Sequence, residues 1–412
     1  MKHTLRSFRL VCEPTQIQDV ENLLRSEGFD FTAEPFFDLA RSLTHEPFPL
    51  GSSIAAKFGY IYIQDKSSML PPLLLAPKPG DVVLDLCASP GSKTGILSRL
   101  VGQQGMVLGN EPNAERLATL RANLRHLGCA NVVTTRYAGQ ELPLPEGVWP
   151  LILLDAPCSG WGTVEKNPKA AQMWAGDKTQ PLENLQRELL VKAAKLLAPG
   201  GKLLYSTCTT NTRENEEQIR FAMEELELIS IPLPEPQGFS FAPSLPGCLL
   251  VDGSLSDAQG FFLGCLSKNG EPVAAPRQQP DLPGELLDLT TFTQQTGMCA
   301  SLPGKILSVS GKLFYTPDQA LQLLPHELRW QGFAVGKSSK DVLQADPTLR
   351  IFVTPEPEDD ALILTETAEI RSLLSGQSIA YQGKARKRPF YYRSLPLGFL
   401  TVKGNRCLWS DR

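Results

Sequence analysis

The sequence predicts an α/β fold: a Rossmann-like, doubly wound parallel sheet with an amino-terminal subdomain and a carboxyl-terminal α+β or β-barrel module. Short apolar runs recur between residues 82 and 205, and helical patterns separate one run from the next. A polar, proline-rich stretch then separates this region from the rest of the chain. We therefore expect a subdomain over 1–78, the sheet domain over 79–270, a linker over 271–285 and a module over 286–412.

Each element of the predicted sheet domain follows from a local pattern. Residues 151–154 are wholly apolar, which suits a strand covered on both faces. Asn113 is a suitable cap for a helix whose leucines at 117, 120, 124 and 127 form one stripe. The predicted strands are 82–86, 106–109, 132–134, 151–154, 202–205 and 261–266. The predicted helices are 96–100, 113–127 and 182–197, the last closed by Pro199, Gly200 and Gly201.

The flanking regions carry weaker patterns. In the amino-terminal region, a helical pattern covers 15–28 and a strand-like run covers 59–65. In the carboxyl-terminal region the pattern predicts strands at 305–308, 350–353 and 399–402 and a helix at 320–324.

Composition narrows the class of protein. The chain has 412 residues and a formal net charge of −4, so a nucleic-acid contact would need a local basic surface. Its 9 cysteines show no zinc-type spacing, which favours free thiols and no metal. The sequence has neither a long apolar span nor a hydrophobic signal segment, so we expect a cytoplasmic protein with no membrane partner.

A basic and aromatic stretch near residue 390 is the best candidate nucleic-acid surface. Cationic side chains neutralise phosphates, and aromatic faces stack on unpaired bases. A solvated strand edge protected by lysines and arginines is the alternative interpretation. The residues of the stretch are Lys384, Arg386, Lys387, Arg388, Phe390, Tyr391, Tyr392 and Arg393.

A turn of small residues after the first predicted strand of the sheet domain has the character of a cofactor loop. Asp85 ends the strand, and the small residues that follow let backbone amides approach a ligand at a helix amino terminus. The spacing matches neither the dinucleotide fingerprint nor the P-loop. Glu111 ends the next strand, where a carboxylate binds ribose hydroxyls, so a nucleoside cofactor fits. A tight turn with a surface carboxylate is the alternative.

Two cysteines, Cys158 and Cys208, each follow a predicted strand, and carboxyl ends of parallel strands share one sheet edge. A thiolate that adds to carbon 6 of a pyrimidine activates carbon 5 for methylation. Asp155 is placed to bind N3 of such a ring. The alternative is that both thiols are buried small hydrophobic groups.

The motifs around these residues resemble those of the NOL1/NOP2/Sun family of RNA cytosine-C5 methyltransferases. The resemblance runs from about Gly59 through Phe262. The matching motifs are Cys87-Ala88-Ser89-Pro90-Gly91-Ser92-Lys93-Thr94, Asp155-Ala156-Pro157-Cys158-Ser159-Gly160, Lys166-Asn167-Pro168, and Ser206-Thr207-Cys208-Thr209 with Glu214-Asn215-Glu216.

The resemblance implies a class I methyltransferase sheet and a role for each site residue. Cys208 would be the nucleophile, and Cys158 would assist product release. Asp155 would lie near the cofactor and the target base, and Lys93 would position the catalytic groups unless it is merely a solvated lysine. S-adenosylmethionine would be bound by Asp155, Glu111 and the loop of Cys87, Ala88, Ser89, Pro90, Gly91, Ser92 and Lys93.

The carboxyl-terminal arrangement is similar to that of bacterial ribosomal members of the family, which carry a PUA-like RNA-binding module. Ribosomal RNA is therefore the first expected partner and transfer RNA the second, with a monomeric enzyme. Two residues depart from the family pattern: Ala138 stands where an aspartate faces the adenine, and Glu165 replaces a basic residue. These departures motivate a rival reading as a non-catalytic RNA-binding assembly factor. A DNA methyltransferase is a weaker alternative.

Overall fold

The structure is a computed structural model that describes residues 6–163, 176–271, 282–299, 302–339, 342–383 and 385–409. Glu165, the Lys166-Asn167-Pro168 motif, Lys384 and most of the expected linker lie outside these ranges. The described chain forms sheets of 4, 10, 5 and 5 strands.

The ten-stranded sheet has a parallel Rossmann-like centre, which confirms the predicted fold class. The strands, in sheet order, are β11 (Phe241–Ala242), β12 (Leu249–Val251), β13 (Phe261–Ser267), β9 (Leu197–Thr207), β8 (Trp149–Asp155), β5 (Val82–Asp85), β6 (Met106–Asn110), β7 (Val132–Thr135) and β17 (Trp330–Gln331), with β10 (Ile229–Ile231) beside β13. Four neighbouring pairs are parallel: β9 with β8, β8 with β5, β5 with β6, and β6 with β7. Antiparallel strands extend both sides, so the whole sheet is mixed.

Helices cover the sheet because its strands are apolar on both faces. Asn113 caps its helix as predicted, since its side chain accepts hydrogen bonds from the amides of Glu115 and Arg116. The helices are α3 (Leu70–Leu75), α4 (Ser92–Val101), α5 (Ala114–Leu127), α6 (Gln180–Leu196), α7 (Glu216–Glu224) and α8 (Gly253–Ser256).

One predicted boundary in this domain is wrong. Pro199, Gly200 and Gly201 do not close a helix but belong to β9, which begins at Leu197. Leu197 fitted the apolar stripe of the predicted helix, but in the structure it pairs with Trp149 of β8 and is part of the sheet. Short apolar segments satisfy either periodicity, and tertiary pairing decides between them.

The amino-terminal region forms the four-stranded sheet and two helices. The fully buried Phe8, Leu23 and Leu24 hold one helix against this sheet. The strands, in sheet order, are β2 (Asp30–Ala33), β3 (Ala40–His45), β1 (Ser7–Leu10) and β4 (Ile61–Ile63), and the helices are α1 (Ile17–Ser26) and α2 (Ile54–Lys57).

The carboxyl-terminal region contains two five-stranded sheets. The first is β14 (Glu285–Asp288), β15 (Gly304–Val309), β16 (Lys312–Pro317), β18 (Phe333–Ser339) and β19 (Val342–Ala345), and the second is β20 (Leu362–Leu364), β22 (Lys387–Tyr392), β23 (Leu395–Lys403), β24 (Arg406–Leu408) and β21 (Ser378–Ala380). The helices are α9 (Leu289–Thr296), α10 (Asp318–Leu323) and α11 (Thr367–Leu374). The strand predicted at 350–353 is wrong, because Arg350–Phe352 forms a 3₁₀ turn whose Phe352 is fully buried.

The carboxyl-terminal region packs against both other regions. Strand β17 pairs with β7, and Leu324 joins the hydrophobic core of the central sheet. The Tyr60 hydroxyl donates to the Pro396 carbonyl at 2.6 Å, and the Phe58 ring packs on Trp409. The amino-terminal sheet and the second carboxyl-terminal sheet therefore share one core.

The aromatic side chains of the basic stretch do not form a stacking surface. Phe390 and Tyr391 are 0% exposed and Tyr392 is 2% exposed, so base stacking on these rings, as the sequence suggested, is wrong. Among the cations, Lys387 Nζ donates to the Ala345 carbonyl. Phe390 and Tyr392 pack in the core shared with the amino-terminal sheet, and Tyr391 packs in the core of the first carboxyl-terminal sheet, so β22 is covered on both faces.

No helix in the described ranges is both long and apolar enough to cross a membrane.

Candidate active site

The candidate site lies at the carboxyl edge of the three central strands β5, β8 and β9. Asp85 ends β5, Asp155 ends β8, and Cys208 directly follows β9. Because these strands are parallel neighbours, their ends bring residues from three distant parts of the sequence to one place.

The predicted cofactor loop connects β5 to α4. The backbone of Gly91 has φ of +103°, and a Cβ at this position would come within 3.0 Å of the Leu120 side chain. Glycine is therefore required at the point where the loop turns into the helix. The Ala88 amide donates to the Asn110 carbonyl at 2.9 Å, which ties the loop to the end of β6.

Lys93, in the first turn of α4, forms a buried ion pair with Asp155. The Lys93 Nζ to Asp155 Oδ2 distance is 2.7 Å, and Ser206 donates to the other carboxylate oxygen at 2.8 Å. Burial alone would lower the pKa of Lys93, but attraction to Asp155 and Cys208 outweighs it and raises the pKa. Lys93 is therefore a fixed cation that orients the carboxylate.

The two cysteine sulfurs converge beside this ion pair. Cys158 Sγ and Cys208 Sγ are 3.0 Å apart, and both residues are partly exposed. The structure thus brings together Cys158, Cys208, Asp155 and Lys93, as the predicted two-thiol site requires. All 9 cysteines of the chain carry free thiols.

The two thiols differ in acidity. The hydrogen bond with Cys158 lowers the pKa of Cys208, and the Lys93 charge lowers it further, whereas burial raises it. The same hydrogen bond and burial raise the pKa of Cys158 well above its ordinary value. Cys208 is therefore the more acidic of the two thiols.

A buried carboxylate, Glu214, fixes both cysteine loops. It is 0% exposed and accepts two hydrogen bonds from Ser159, at 2.8 Å from the amide and 2.5 Å from the hydroxyl. Gln186 and Asn211 each donate to it at 3.0 Å. The Ser159 hydroxyl also contacts Thr209 Oγ1 at 2.8 Å. The residue after Cys158 and the residue after Cys208 are thus joined through one network.

Glu111 lies at the end of β6, 2% exposed, beside the cofactor loop. Its Oε1 accepts from the Asn113 amide at 2.9 Å, and its Oε2 lies 3.4 Å from Arg116 Nε. Arg116 also exchanges hydrogen bonds with Ser89 of the loop. A carboxylate offers about four acceptor positions, so Glu111 retains capacity for hydroxyl donors. Ala138, half-buried after β7, offers only a methyl group.

Asp85 lies beneath the loop and is almost fully buried. Its Oδ2 accepts from the Thr94 hydroxyl at 2.7 Å, whereas its Oδ1 has no hydrogen-bond partner. Burial raises the pKa of Asp85 to about 7. The carboxyl group therefore takes up a proton near neutral pH rather than remaining an unpaired buried charge.

The sequence did not assign three residues of this edge. Ser206 and Arg116 orient Asp155 and Glu111, and Glu214 joins the cysteine loops. Glu214 stood within a matched motif, so its presence was visible but its partners were not. The other two contacts depend on which strands and helices become neighbours.

The fold is that of Rossmann-like methyltransferases. The crystal structure of a methyltransferase homolog protein from Pyrococcus horikoshii is similar to this chain with a TM-score of 0.55 and 32% identity. The alignment covers 64% of this chain and 86% of that one.

The particular family follows from the sequence comparisons. The family model described as 16S rRNA methyltransferase RsmB/F matches residues 72–264, which include the cofactor loop and both cysteines. The chain belongs to this RsmB/F, or NOL1/NOP2/Sun, family.

Two curated relatives are both named ribosomal RNA small subunit methyltransferase F. That of Cronobacter sakazakii is 40% identical over 238 residues, covering 55% of this chain and 49% of the relative. That of Serratia proteamaculans is 34% identical over 332 residues, covering 76% of this chain and 66% of the relative. The chain thus spans about half of the first relative's length and about two thirds of the second's.

Proposed function

We propose that this protein uses S-adenosylmethionine to methylate carbon 5 of cytosine in ribosomal RNA. The observation that carries the proposal is the pair of cysteine sulfurs 3.0 Å apart beside the Lys93–Asp155 ion pair. Membership of the RsmB/F family and the names of the two relatives support ribosomal RNA as the substrate.

The residues at the carboxyl edge suit the cofactor. The loop of residues 87–92 and the Glu111 carboxylate would hold its nucleoside, with Asp155 at the methyl-donating end. When bound, the cofactor supplies an electrophilic methyl group. The methyl side chain of Ala138 offers no hydrogen bond to the adenine, so polar binding of the nucleoside rests on the loop and on Glu111 at the ribose.

The chemistry begins with the Cys208 thiolate. Its sulfur forms a bond to carbon 6 of cytosine, and the displaced ring electrons make carbon 5 nucleophilic. Asp155, held by Lys93 and Ser206, would bind the N3 and exocyclic amine edge and stabilise the charge that develops there. This addition requires the thiolate form of Cys208, which the neighbouring Cys158 thiol and Lys93 favour.

Release reverses the addition. Once carbon 5 carries the methyl group, a base removes its proton, the electron pair re-forms the ring double bond, and the carbon 6 to sulfur bond breaks. Cys158 assists this step from its position beside Cys208. Without Cys158 the covalent complex should persist.

A methylation assay with replaced cysteines tests the proposal. Cys208→Ala should abolish transfer of tritiated methyl groups to RNA, and Cys158→Ala should accumulate a protein–RNA adduct on a denaturing gel. Cys299→Ala, at an exposed thiol outside the site, is the matched control and should behave as the wild type. An adduct that forms equally well without Cys208 would overturn its role as nucleophile.

The substrate is tested by bisulfite mapping of RNA from a strain that lacks the protein. Loss of 5-methylcytosine from small-subunit ribosomal RNA is expected. Loss from transfer RNA alone would overturn the ribosomal assignment, and methyl incorporation without 5-methylcytosine would overturn the reaction itself.

A further inference from the structure

A cavity of about 600 Å³ lies where the three regions of the chain meet, and neither Cys158 nor Cys208 lines it. The amino-terminal region contributes Arg9, helix α4 contributes Ser98 and Arg99, and the carboxyl-terminal region contributes Tyr315 and Arg350. The proposed methylation reaction uses none of these residues.

Three guanidinium groups surround the cavity, and their hydrogen bonds go to neutral acceptors. Arg9 Nε donates to the Gln64 side chain at 3.0 Å, whereas its Nη2 is buried without a partner. Arg99 Nη1 donates to the Cys12 carbonyl at 2.5 Å. Arg350 Nη2 donates to two backbone carbonyls at 3.0 Å, and its Nε is buried without a partner.

These cations have no internal counter-charge. No ion pair between described residues joins Arg9, Arg99 or Arg350 to a carboxylate. Glu13 is the acidic residue among the described lining residues, and it is exposed. Burial raises the pKa of the Cys12 thiol to about 11, so this thiol is neutral and does not compensate the charges.

The packing of helix α4 leaves room for the Arg9 side chain at the base of the cavity. A Cβ on Gly95 of α4 would come within 2.5 Å of Arg9 Nη2, so glycine lets the guanidinium lie against the helix. Burial lowers the pKa of Arg9 to about 10, which still leaves it charged at neutral pH. A buried charge without a partner is costly, and an anion in the cavity would offset that cost.

A second cavity, of about 200 Å³, adjoins the first and extends its basic character. Gly128, Arg350 and Ile351 line both cavities, and Lys57 adds a further cation to the second. No carboxylate is among the described lining residues of this second cavity. Arg350 is therefore the cation that the two cavities share.

We propose that the arginine cavity binds a phosphate group, with Arg99 and Arg350 as its direct ligands and Arg9 as a buried supporting charge. Guanidinium groups match phosphate oxygens in geometry and charge. Resting on the proposed function, the phosphate belongs to the backbone of the RNA substrate. A free phosphate compound is the other source of the same chemistry, and the experiment separates the two.

The experiment compares wild type with Arg99→Gln and Arg350→Gln. The control is Arg220→Gln, which removes an exposed arginine of α7 away from the cavity. Far-ultraviolet circular dichroism and S-adenosylmethionine affinity report whether each variant is folded. Arg99→Gln is the primary variant, because Arg99 is partly exposed at the last turn of its helix and its removal leaves the core intact.

The first measurement is thermal unfolding with inorganic phosphate against chloride at equal ionic strength. Phosphate should raise the midpoint of wild type and Arg220→Gln by about 3 °C near saturation and have little effect on the cavity variants. The second is binding of a single-stranded RNA oligonucleotide over a salt series. Each cavity substitution should weaken binding roughly tenfold and reduce the salt slope by about 1.

The two measurements together decide the outcome. A loss of RNA binding in the cavity variants supports the RNA backbone as the source of the phosphate. A loss of the phosphate effect alone supports a free phosphate compound and overturns the RNA source. If the cavity variants match Arg220→Gln in both, the phosphate site is overturned. If wild type binds phosphate but methylates no RNA, the proposed function fails while this site stands.

Discussion

The buried charges near the two ends of helix α4 differ in whether they have a counter-charge. At its amino end Lys93 pairs with Asp155, and the nearby Glu214 accepts hydrogen bonds from three residues. Towards its carboxyl end Arg99 faces a cavity in which Arg9 and Arg350 also lack a carboxylate partner. Lys93 and Arg99 are six positions apart on this helix, so about 9 Å along its axis separates the paired cation from the unpaired one. The first, satisfied cluster is held by its own ion pair and hydrogen bonds, whereas the second cluster carries the charge that the proposed phosphate would neutralise.

Asp85 shows a third response to burial. It lies near the satisfied cluster but has an unpartnered oxygen, and its raised pKa lets it become neutral. A carboxyl group can escape the cost of burial by protonation near neutral pH, but a guanidinium cannot. The absence of a partner therefore indicates a ligand site more strongly for Arg9 than for Asp85.

The largest expected effect comes from breaking the satisfied cluster at Glu214. Glu214→Ala should destabilise the protein by about 3–5 kcal/mol, because it leaves several buried donors without an acceptor. It should also lower the methylation rate about 100-fold by releasing the two cysteine loops. Urea unfolding and single-turnover methylation measure the two effects. Glu217→Ala, at an exposed position in the first turn of α7, should change stability by less than about 0.5 kcal/mol.

The next effect concerns the pH dependence of stability at Asp85. The pKa of Asp85 is about 7 in the folded protein against 3.8 as the reference, so the folded state keeps a proton that the unfolded state loses. The protonated Asp85 carboxyl group therefore contributes its full stabilisation of the folded state below about pH 4, and this contribution is lost as the pH rises to about 7. Between pH 5 and pH 7 the wild type should lose about 2 kcal/mol relative to Asp85→Asn. Parallel pH profiles of unfolding free energy would contradict this account.

Lys93→Met should give a smaller loss of stability, about 1–2 kcal/mol, because the Asp155 it leaves unpaired is partly exposed to solvent. Loss of the ammonium should also raise the pKa of Cys208, so the acidic limb of the methylation rate profile should move to higher pH. Rate–pH profiles of the variant and of Lys93→Arg, which keeps the charge, test this point. An unchanged limb in Lys93→Met would exclude the electrostatic role of Lys93.

Arg9→Met should change the unfolding free energy least, and any change should be an increase rather than the decrease expected for Lys93→Met. It removes the same unit charge as Lys93→Met but takes it from a place without a counter-charge. We expect stability in phosphate-free buffer to stay within about 1 kcal/mol of wild type or to increase, because the cost of burying the cation disappears. A loss similar to that of Lys93→Met in urea unfolding would show that a counter-charge for Arg9 is already present.

Features that depend on neighbouring parallel strands could be predicted from the sequence. Cys158 and Cys208 each follow a strand, and strand ends of a parallel sheet meet, so their convergence needed no tertiary information. The partners of Glu214 depended on the register between α6 and two loops, which no local pattern encodes. The arginine cavity joins Arg9 to Arg350, and no periodicity relates positions so distant.

Predictions from the sequence were wrong where one residue pattern is compatible with two structural environments. The basic and aromatic residues around Phe390 are typical of a nucleic-acid surface, yet packing against the amino-terminal region buries the Phe390 ring completely. The run at 350–353 has strand-like composition but is too short to distinguish a strand from a single turn. In both cases a neighbour from a distant part of the chain decided the outcome.

The shared core of the first and last sheets has a consequence for how the chain is made. The hydroxyl of Tyr60 finds its carbonyl acceptor 336 residues later, and the Phe58 ring packs on rings from the same late segment. During translation the apolar side chains of the early sheet therefore stay exposed until the segment that contains Phe390, Pro396 and Trp409 has been synthesised. Chaperone dependence of the nascent chain should end only when the segment around Pro396 leaves the exit tunnel.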